Sequence, residues 1–412
     1  MRPLLSSILL FCCVSSVFGG DNWPQFRGPN GNGISDAPKL ATKWSESENI
    51  RWKTAIHGKA WSSPVVWGQQ IWMTSATEDG KESFAICVDL KTGKILHDIK
   101  LFTTEKPAFC IPYNSYASST PVIEEGRFYA HFGSAGTACV DTKTGKTLWL
   151  RRDLPCDHFR GPGSSPIIYK NLLILTFDGF DLQYLAALDK NTGKTVWRTD
   201  RDIKYTTDNG DYKKAYSTPS ILEVNGKPQL ISPAAEATMA VNPLTGEEIW
   251  KIYHGGMNAA ARPVFGHGLI YLTSGHNMNL LAVKQGGTGD LTPDSVVWRT
   301  KRSVPTRPSL LLIDDLLYMV NDGGIASCLE AKTGKEVWQK RLGGAFSSSP
   351  IYAAGHIYMC DDSGKTHVLA AGRDPNEVVV NKLDTGCMAS PAVVGDSLLL
   401  RTKTHLYCIG EP

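Results

Sequence analysis

Between residues 156 and 181 the chain carries an imidazole, a guanidinium and several carboxylates: Cys156-Asp-His158-Phe-Arg160-Gly-Pro-Gly163, then Asp178-Gly-Phe-Asp181. Such a set could serve general acid–base chemistry on a sugar or another small substrate, or grip a ligand through charge-assisted hydrogen bonds. Arg160 and a carboxylate could equally pair with each other and order two loops. Asn114, Tyr116, Arg262 and His276 join the candidates because they too fall in connections, where binding residues concentrate. Stronger signatures are absent. There is no Cys-x-x-Cys, His-Glu-x-x-His, Gly-x-Ser-x-Gly or Walker loop, so neither a metal centre nor acyl-transfer or nucleotide chemistry is expected. Asp178 to Asp181 and Asp361 to Lys365 are too short to supply the roughly six to eight oxygens of calcium, and read as turns.

Those residues need a frame, and the frame repeats. Short apolar or alternating runs separated by Gly, Asp and Asn turns, with no sustained helical period, predict an almost entirely β chain. A small-x-Pro signal ends at Pro64, Pro121, Pro166, Pro219, Pro263, Pro308, Pro350 and Pro391, at spacings of 41 to 57 residues. Four strands of about five or six residues plus turns consume roughly 40 to 50, the length of a propeller blade. A second signal follows: Asp89-Leu-Lys-Thr-Gly-Lys94, Asp141 to Lys146, Asp189 to Lys194, Asn242 to Glu247 and Glu330 to Lys335 predict tight turns between third and fourth strands. Trp149, Trp197, Trp250 and Trp338 stand three residues later, with His97 in that slot in blade one and Trp298 delayed by an insertion from Gln285 to Ser295. The expected role of these indoles is packing between blades. The last blade runs out of chain after three strands, so Ile50-Arg51-Trp52-Lys53 is expected to supply its fourth and close the ring.

Ahead of this repeat, Met1-Arg2 and the apolar stretch from Pro3 to Phe18, ending in Gly19-Gly20, predict a signal peptide over residues 1–20. An exported protein, periplasmic or secreted, is expected. Residues 21–49 then form an extended N-terminal segment and 50–412 the propeller. No later apolar run is long enough to span a bilayer. The formal net charge of +3, with 20% charged residues interspersed rather than blocked, does not suit a nucleic-acid binder.

The repeated Asp-x-x-Thr-Gly-Lys-x-x-Trp pattern resembles the PQQ-like β-propeller repeat, shared by quinoprotein alcohol dehydrogenases and BamB-like proteins. Trp23-Pro-Gln-Phe-Arg-Gly-Pro29 is similar to the opening of many exported bacterial propellers of that type. The resemblance covers residues 21 to 412 and implies an all-β, eight-bladed propeller. It implies no single function, because the fold hosts enzymes and scaffolds alike. Quinoprotein dehydrogenases of this type carry a vicinal Cys-Cys ring, a calcium ligand set and an Asp base. The one vicinal pair here, Cys12-Cys13, lies in the signal peptide, and the expectation is that no cofactor is bound.

Two residues before the turn Asp, the blades read Cys87, Cys139, Ala187, Ala240, Ala282, Cys328, Ala370 and Cys408, a small buried slot in which Cys acts as a hydrophobe. Cys110, Cys156, Cys360 and Cys387 remain as bonding candidates. Cys110 and Cys156 both fall in long blade-to-blade connections and are expected to pair. Those connections share one propeller face with the second-to-third-strand loops, and that face holds the unusual polar residues. The expectation is a monomeric, noncatalytic binding or scaffold module that takes a protein segment or an extracellular glycan on this face. An enzyme using His158, Arg160 and an Asp of blade three is the alternative, and a quinone-dependent dehydrogenase a more distant one.

Overall fold

A computed structural model describes residues 22–292, 294–374 and 378–411. The signal-peptide expectation lies outside the described residues. The chain forms eight antiparallel sheets in a closed ring: blades one to seven span 65–103, 122–151, 167–200, 220–253, 264–300, 311–341 and 351–382. Blade eight takes three strands from 392–409 and its fourth from Ile50–Ala55. That fourth strand runs antiparallel to His405–Ile409, with Trp52 opposite Cys408. Among the described residues no helix is long and apolar enough to cross a membrane.

Middle strands are buried on both faces between neighbouring blades: every residue of Leu172–Asp178 is buried, and the strand opens on the apolar run Leu172-Leu-Ile-Leu175. Fourth strands such as Thr147–Arg151 meet solvent on one face and alternate. The turn motif has a specific task. In Asp89-Leu-Lys-Thr-Gly-Lys94 the carboxylate accepts from Thr92 N–H at 2.7 Å and its hydroxyl at 2.6 Å, and Gly93, at φ +71°, presents a face without a side chain. The indole of Trp52, from the preceding blade, lies on that glycine and donates Nε1–H to Leu90 O at 2.9 Å. Trp149 repeats the contact on Gly193 and Lys190 O, Trp197 on Gly246 and Pro243 O, and Trp298 on Gly334 and Ala331 O. Trp250 instead donates to Gln229 Oε1 at 2.9 Å. There the insertion of blade five adds Gly289–Asp290 as a parallel fifth strand on blade four, beside Trp250.

Two repeat assignments need correction. The small slot of blade seven is Val368, which faces Tyr358 and Val379 as Cys328 faces Tyr318 and Trp338; Ala370 lies two residues further on and is exposed. In blade six, Thr306-Arg307-Pro308 comes two residues early, and Ser309 holds the position that Ser63, Thr120 and Ser349 hold elsewhere, two before the first strand.

Residues 22–35 cross the ring on the side away from the blade-to-blade connections and cap its axis. Trp23 exchanges main-chain hydrogen bonds with Val66, Pro24 O accepts from Ile123 N–H, and Gly33 O accepts from Tyr352 N–H. These partners lie on first strands of blades one, two and seven, so the segment reaches across the central hole. Arg27 is fully buried and donates to Leu310 O at 2.5 Å and Asn32 O at 2.6 Å.

Deleting everything before Lys59 removes both the axial cap and the closing strand, so the whole ring should loosen rather than one end fray. We expect the melting midpoint to fall by roughly 10 °C or more, and an unchanged midpoint in calorimetry would contradict closure through Trp52.

Candidate functional site

The ring opens on the connection-bearing face into a funnel of about 600 Å³ centred on the axis. A belt of hydrogen bonds fixes its throat. Ser63 N–H donates to Thr120 Oγ1, Thr120 N–H to Ser165 Oγ, and Ser165 N–H to Thr218 Oγ1, at 2.9 to 3.0 Å. On the far side Arg262 N–H donates to Ser309 Oγ, Ser309 to Ser349, Ser349 to Ser390 and Ser390 back to Ser63. Between blades four and five the belt passes instead through Ser217 Oγ–H to Ala261 O at 2.8 Å. The recurring small hydroxyl residue before the first strand is therefore a bridge between blades, satisfying main-chain donors that would otherwise be buried unpaired.

Phe26 of the axial segment contributes to the wall, together with Trp61, Tyr113 and Tyr216. Arg160 and Arg307 are the guanidiniums of the lining, and Asp322 its one carboxylate. Asp322 is already engaged by Thr306 N–H at 2.7 Å, its hydroxyl at 2.6 Å and Arg307 Nε at 2.5 Å, and these donors lower its pKa despite burial. Arg307 lies over the Tyr113 ring at 4.7 Å.

Of the residues singled out from sequence, Asn114, Arg160 and His276 line this funnel. Asn114 Nδ2–H donates to Arg160 O and Pro162 O, tying two connections together. The others are held elsewhere. Arg262 is buried and reaches the axial segment, donating to Phe26 O at 2.6 Å and Gln25 Oε1 at 3.2 Å. Asp178 forms a fully buried bidentate pair with Arg201, at 2.5 and 2.9 Å. Asp181 accepts from Asp157 and Leu182 N–H, and Tyr116 donates to Ala108 O. His158 Nε2 accepts from Ser134 N–H at 3.0 Å, and burial pushes its pKa down to about 4. Arg160 pairs with Asp211 at 2.6 Å rather than with either blade-three carboxylate. The four groups of blade three thus do not converge on a common point.

The structure does not bring Cys110 and Cys156 together as the expected disulfide requires. Cys110 packs on Gly161 with Sγ 3.7 Å from Arg160 O, while Cys156 packs on Gly179 beside His158 Nδ1 and Leu182 O. The two connections share a face, but each thiol is taken up by a different glycine.

Beside the funnel stands an aromatic ridge that polarity-based reasoning missed. Phe109, Phe159 and Phe180 are 60%, 37% and 38% exposed, with ring centroids 6.2 and 5.3 Å apart along the row. Phe159 sits at φ +56°, at the tip of a three-residue turn in which Arg160 N–H donates to His158 O at 2.5 Å. A bulky side chain in the left-handed region costs free energy unless its surroundings impose it. Here Asp157 Oδ1 accepts Phe159 N–H, and the Lys214 ammonium lies 4.8 Å from the ring. Three large apolar residues in loops, outside any alternating run, were the available signal.

A protein-family profile described as outer membrane protein assembly factor BamB matches residues 88–199, 119–340 and 290–402. The chain belongs to this PQQ-like propeller family. It is 23% identical over 247 residues to BamB of Legionella pneumophila, covering 59% of this chain and 49% of that one. It is 24% identical over 269 residues to the quinoprotein alcohol dehydrogenase PedE of Pseudomonas putida, covering 58% and 42%. Each match thus spans under half of the relative. Among solved structures it is similar to BamB from Moraxella catarrhalis (TM-score 0.61, 13% identity, 87% of this chain and 99% of that one) and to a quinohemoprotein alcohol dehydrogenase from Comamonas testosteroni (0.69, 11%, 97% and 82%). These likenesses show the fold alone.

The family name invites a quinone held through calcium, and the wall of the funnel does not fit one. Calcium takes roughly six to eight oxygens with carboxylates among them. The lining offers only the carboxylate of Asp322, locked to Thr306 and Arg307, and no cluster of metal-ligating side chains occurs among the described residues.

Histidines shielded from water make stability depend on pH, His131, His158 and His254 most of all. Burial lowers His131 to about 3 and His158 and His254 to about 4, against about 6.5 when unfolded. Below pH 6.5 the unfolded chain takes up protons that the folded one refuses, so their stability contribution is complete above that pH and lost as pH falls towards 4. Between about pH 7.5 and pH 5 we expect roughly 1 to 2 kcal/mol lost per histidine. A melting midpoint that stays flat over this window would contradict the assignment.

Proposed function

We propose that this chain is an exported, noncatalytic binding module, whose connection-bearing face takes an extended segment of another protein with the funnel as an anchor pocket. The observation that carries this reading is the aromatic ridge Phe109–Phe159–Phe180 beside the funnel mouth. Exposed apolar area of this kind opposes solubility unless it is covered in use. Aromatic residues with Arg close by are what interface centres favour, and Arg160 stands 5.9 Å from the Phe159 ring. Membership of a family described as an assembly factor supports a binding role over a catalytic one. So does the dispersal of His158, Asp178 and Asp181 into separate internal contacts, which leaves the enzyme alternative without an assembled acid–base pair. A glycan is the second ligand class, favoured by Trp61 and Tyr216 standing among the hydroxyls of the funnel.

The test is selection of a displayed random peptide library against the full chain, alongside a glycan array. We expect enriched peptides with an apolar anchor, and a Phe109→Ser/Phe159→Ser variant to weaken their binding at least about tenfold while the melting midpoint moves by only a few degrees. Undiminished peptide binding by the variant, or binding of glycans alone, would overturn the protein-segment reading.

A further inference from the structure

Two thiols far from the ridge meet inside the ring. Cys360 ends the second strand of blade seven, His356–Cys360. Cys387 lies in the connection to the closing blade, which folds back along the second-to-third-strand loop of blade seven. Leu383 N–H donates to Gly364 O at 3.0 Å and Cys387 N–H to Asp361 O at 3.3 Å. This register lays Cys387 beside the end of the strand that carries Cys360, whose Sγ lies 3.3 Å from Thr366 Oγ1. Both are buried in the hydrophobic cluster that also contains Tyr407, Cys408 and Ile409 of the closing blade and Ile71 and Met73 of blade one. The remaining cysteines are placed differently. Cys139, Cys328 and Cys408 each face a Trp across the outer strand pair, Cys87 faces His97 there, and Cys110 and Cys156 lie on separate glycines.

We propose that Cys360 and Cys387 form a disulfide in the exported protein, stapling blade seven to the connection into the blade that closes the ring. The two thiols give up two protons and two electrons to the disulfide of an envelope thiol–disulfide oxidoreductase. One cysteine attacks that disulfide as thiolate and expels one oxidoreductase thiol; the second attacks the resulting mixed disulfide and expels the other. One S–S bond is made here and one is reduced in the oxidant. Exchange takes place while the chain folds, before the neighbouring Cys360 and burial raise the Cys387 thiol well above its ordinary range. The bridge encloses the outer hairpin of blade seven, so it removes loop freedom from the unfolded chain. The inference rests on export, which supplies the oxidising compartment, and not on what the connection-bearing face binds.

The test uses the full chain in two preparations: one recovered from the cell envelope, and one made in the cytoplasm and refolded with oxidised glutathione. Each is denatured, alkylated without reduction and mapped by peptide mass spectrometry. We expect a Cys360–Cys387 linked peptide in both and alkylation of the other cysteines after residue 20. Reduction should lower the melting midpoint by about 5 °C, and Cys387→Ser should show the lower midpoint with no further response to reductant. Complete alkylation of Cys360 and Cys387 in the refolded preparation would overturn the pairing whether or not the variant folds. A link in the refolded chain that is missing from the envelope preparation would overturn the export on which the proposal rests.

Discussion

The ring depends on an indole laid on a glycine. A tryptophan on the outer strand of one blade covers the Thr-Gly turn of the next and donates its N–H to a carbonyl of that turn, as Trp52, Trp149, Trp197 and Trp298 do. Burying about 150 to 250 Å² of indole at about 25 cal/mol/Å² gives an upper bound of roughly 4 to 6 kcal/mol per junction. The same contact also fixes the angle between neighbours. Because Trp52 comes from the start of the chain and docks on the first blade, the junction that closes the ring is built like those along it.

What the ring positions follows from that regularity. The belt of hydroxyls around the axis holds the first strands together, and the axial segment closes one end through Arg27 and Arg262. Every connection therefore rises from a fixed base on the remaining open face. That rigidity lets the face carry features a flexible loop would relax: Phe159 with positive φ, and three phenyl rings standing in a row towards water.

The fold was legible because a repeat writes each backbone role several times. The turn motif, the docking Trp, the small slot and the closing strand were all readable from spacing, and two registers slipped only where blades six and seven lack the usual punctuation. The site was less legible for a physical reason. A repeat position says where the backbone is and not which way its side chain is satisfied. Arg262 occupies a belt position whose side chain turns to the axial segment, and Asp178 lies at a strand end where Arg201 claims it. Polar residues in buried connections need partners, so most of the conspicuous ones were spent internally. The ridge escaped notice because its residues are apolar, and only the assembled face shows that Phe109, Phe159 and Phe180, from three different connections or loops, stand together.

The central claim is that recognition takes place on the connection-bearing face. The most direct measurement places a photoreactive side chain at Phe109 on that face, or at Lys143 in a Thr-Gly turn on the other, and irradiates the full chain in the cell envelope. The account predicts a discrete protein adduct from position 109 that disappears when Phe159 is replaced by Ser, and none from position 143. An adduct from 143, with 109 silent, would contradict it.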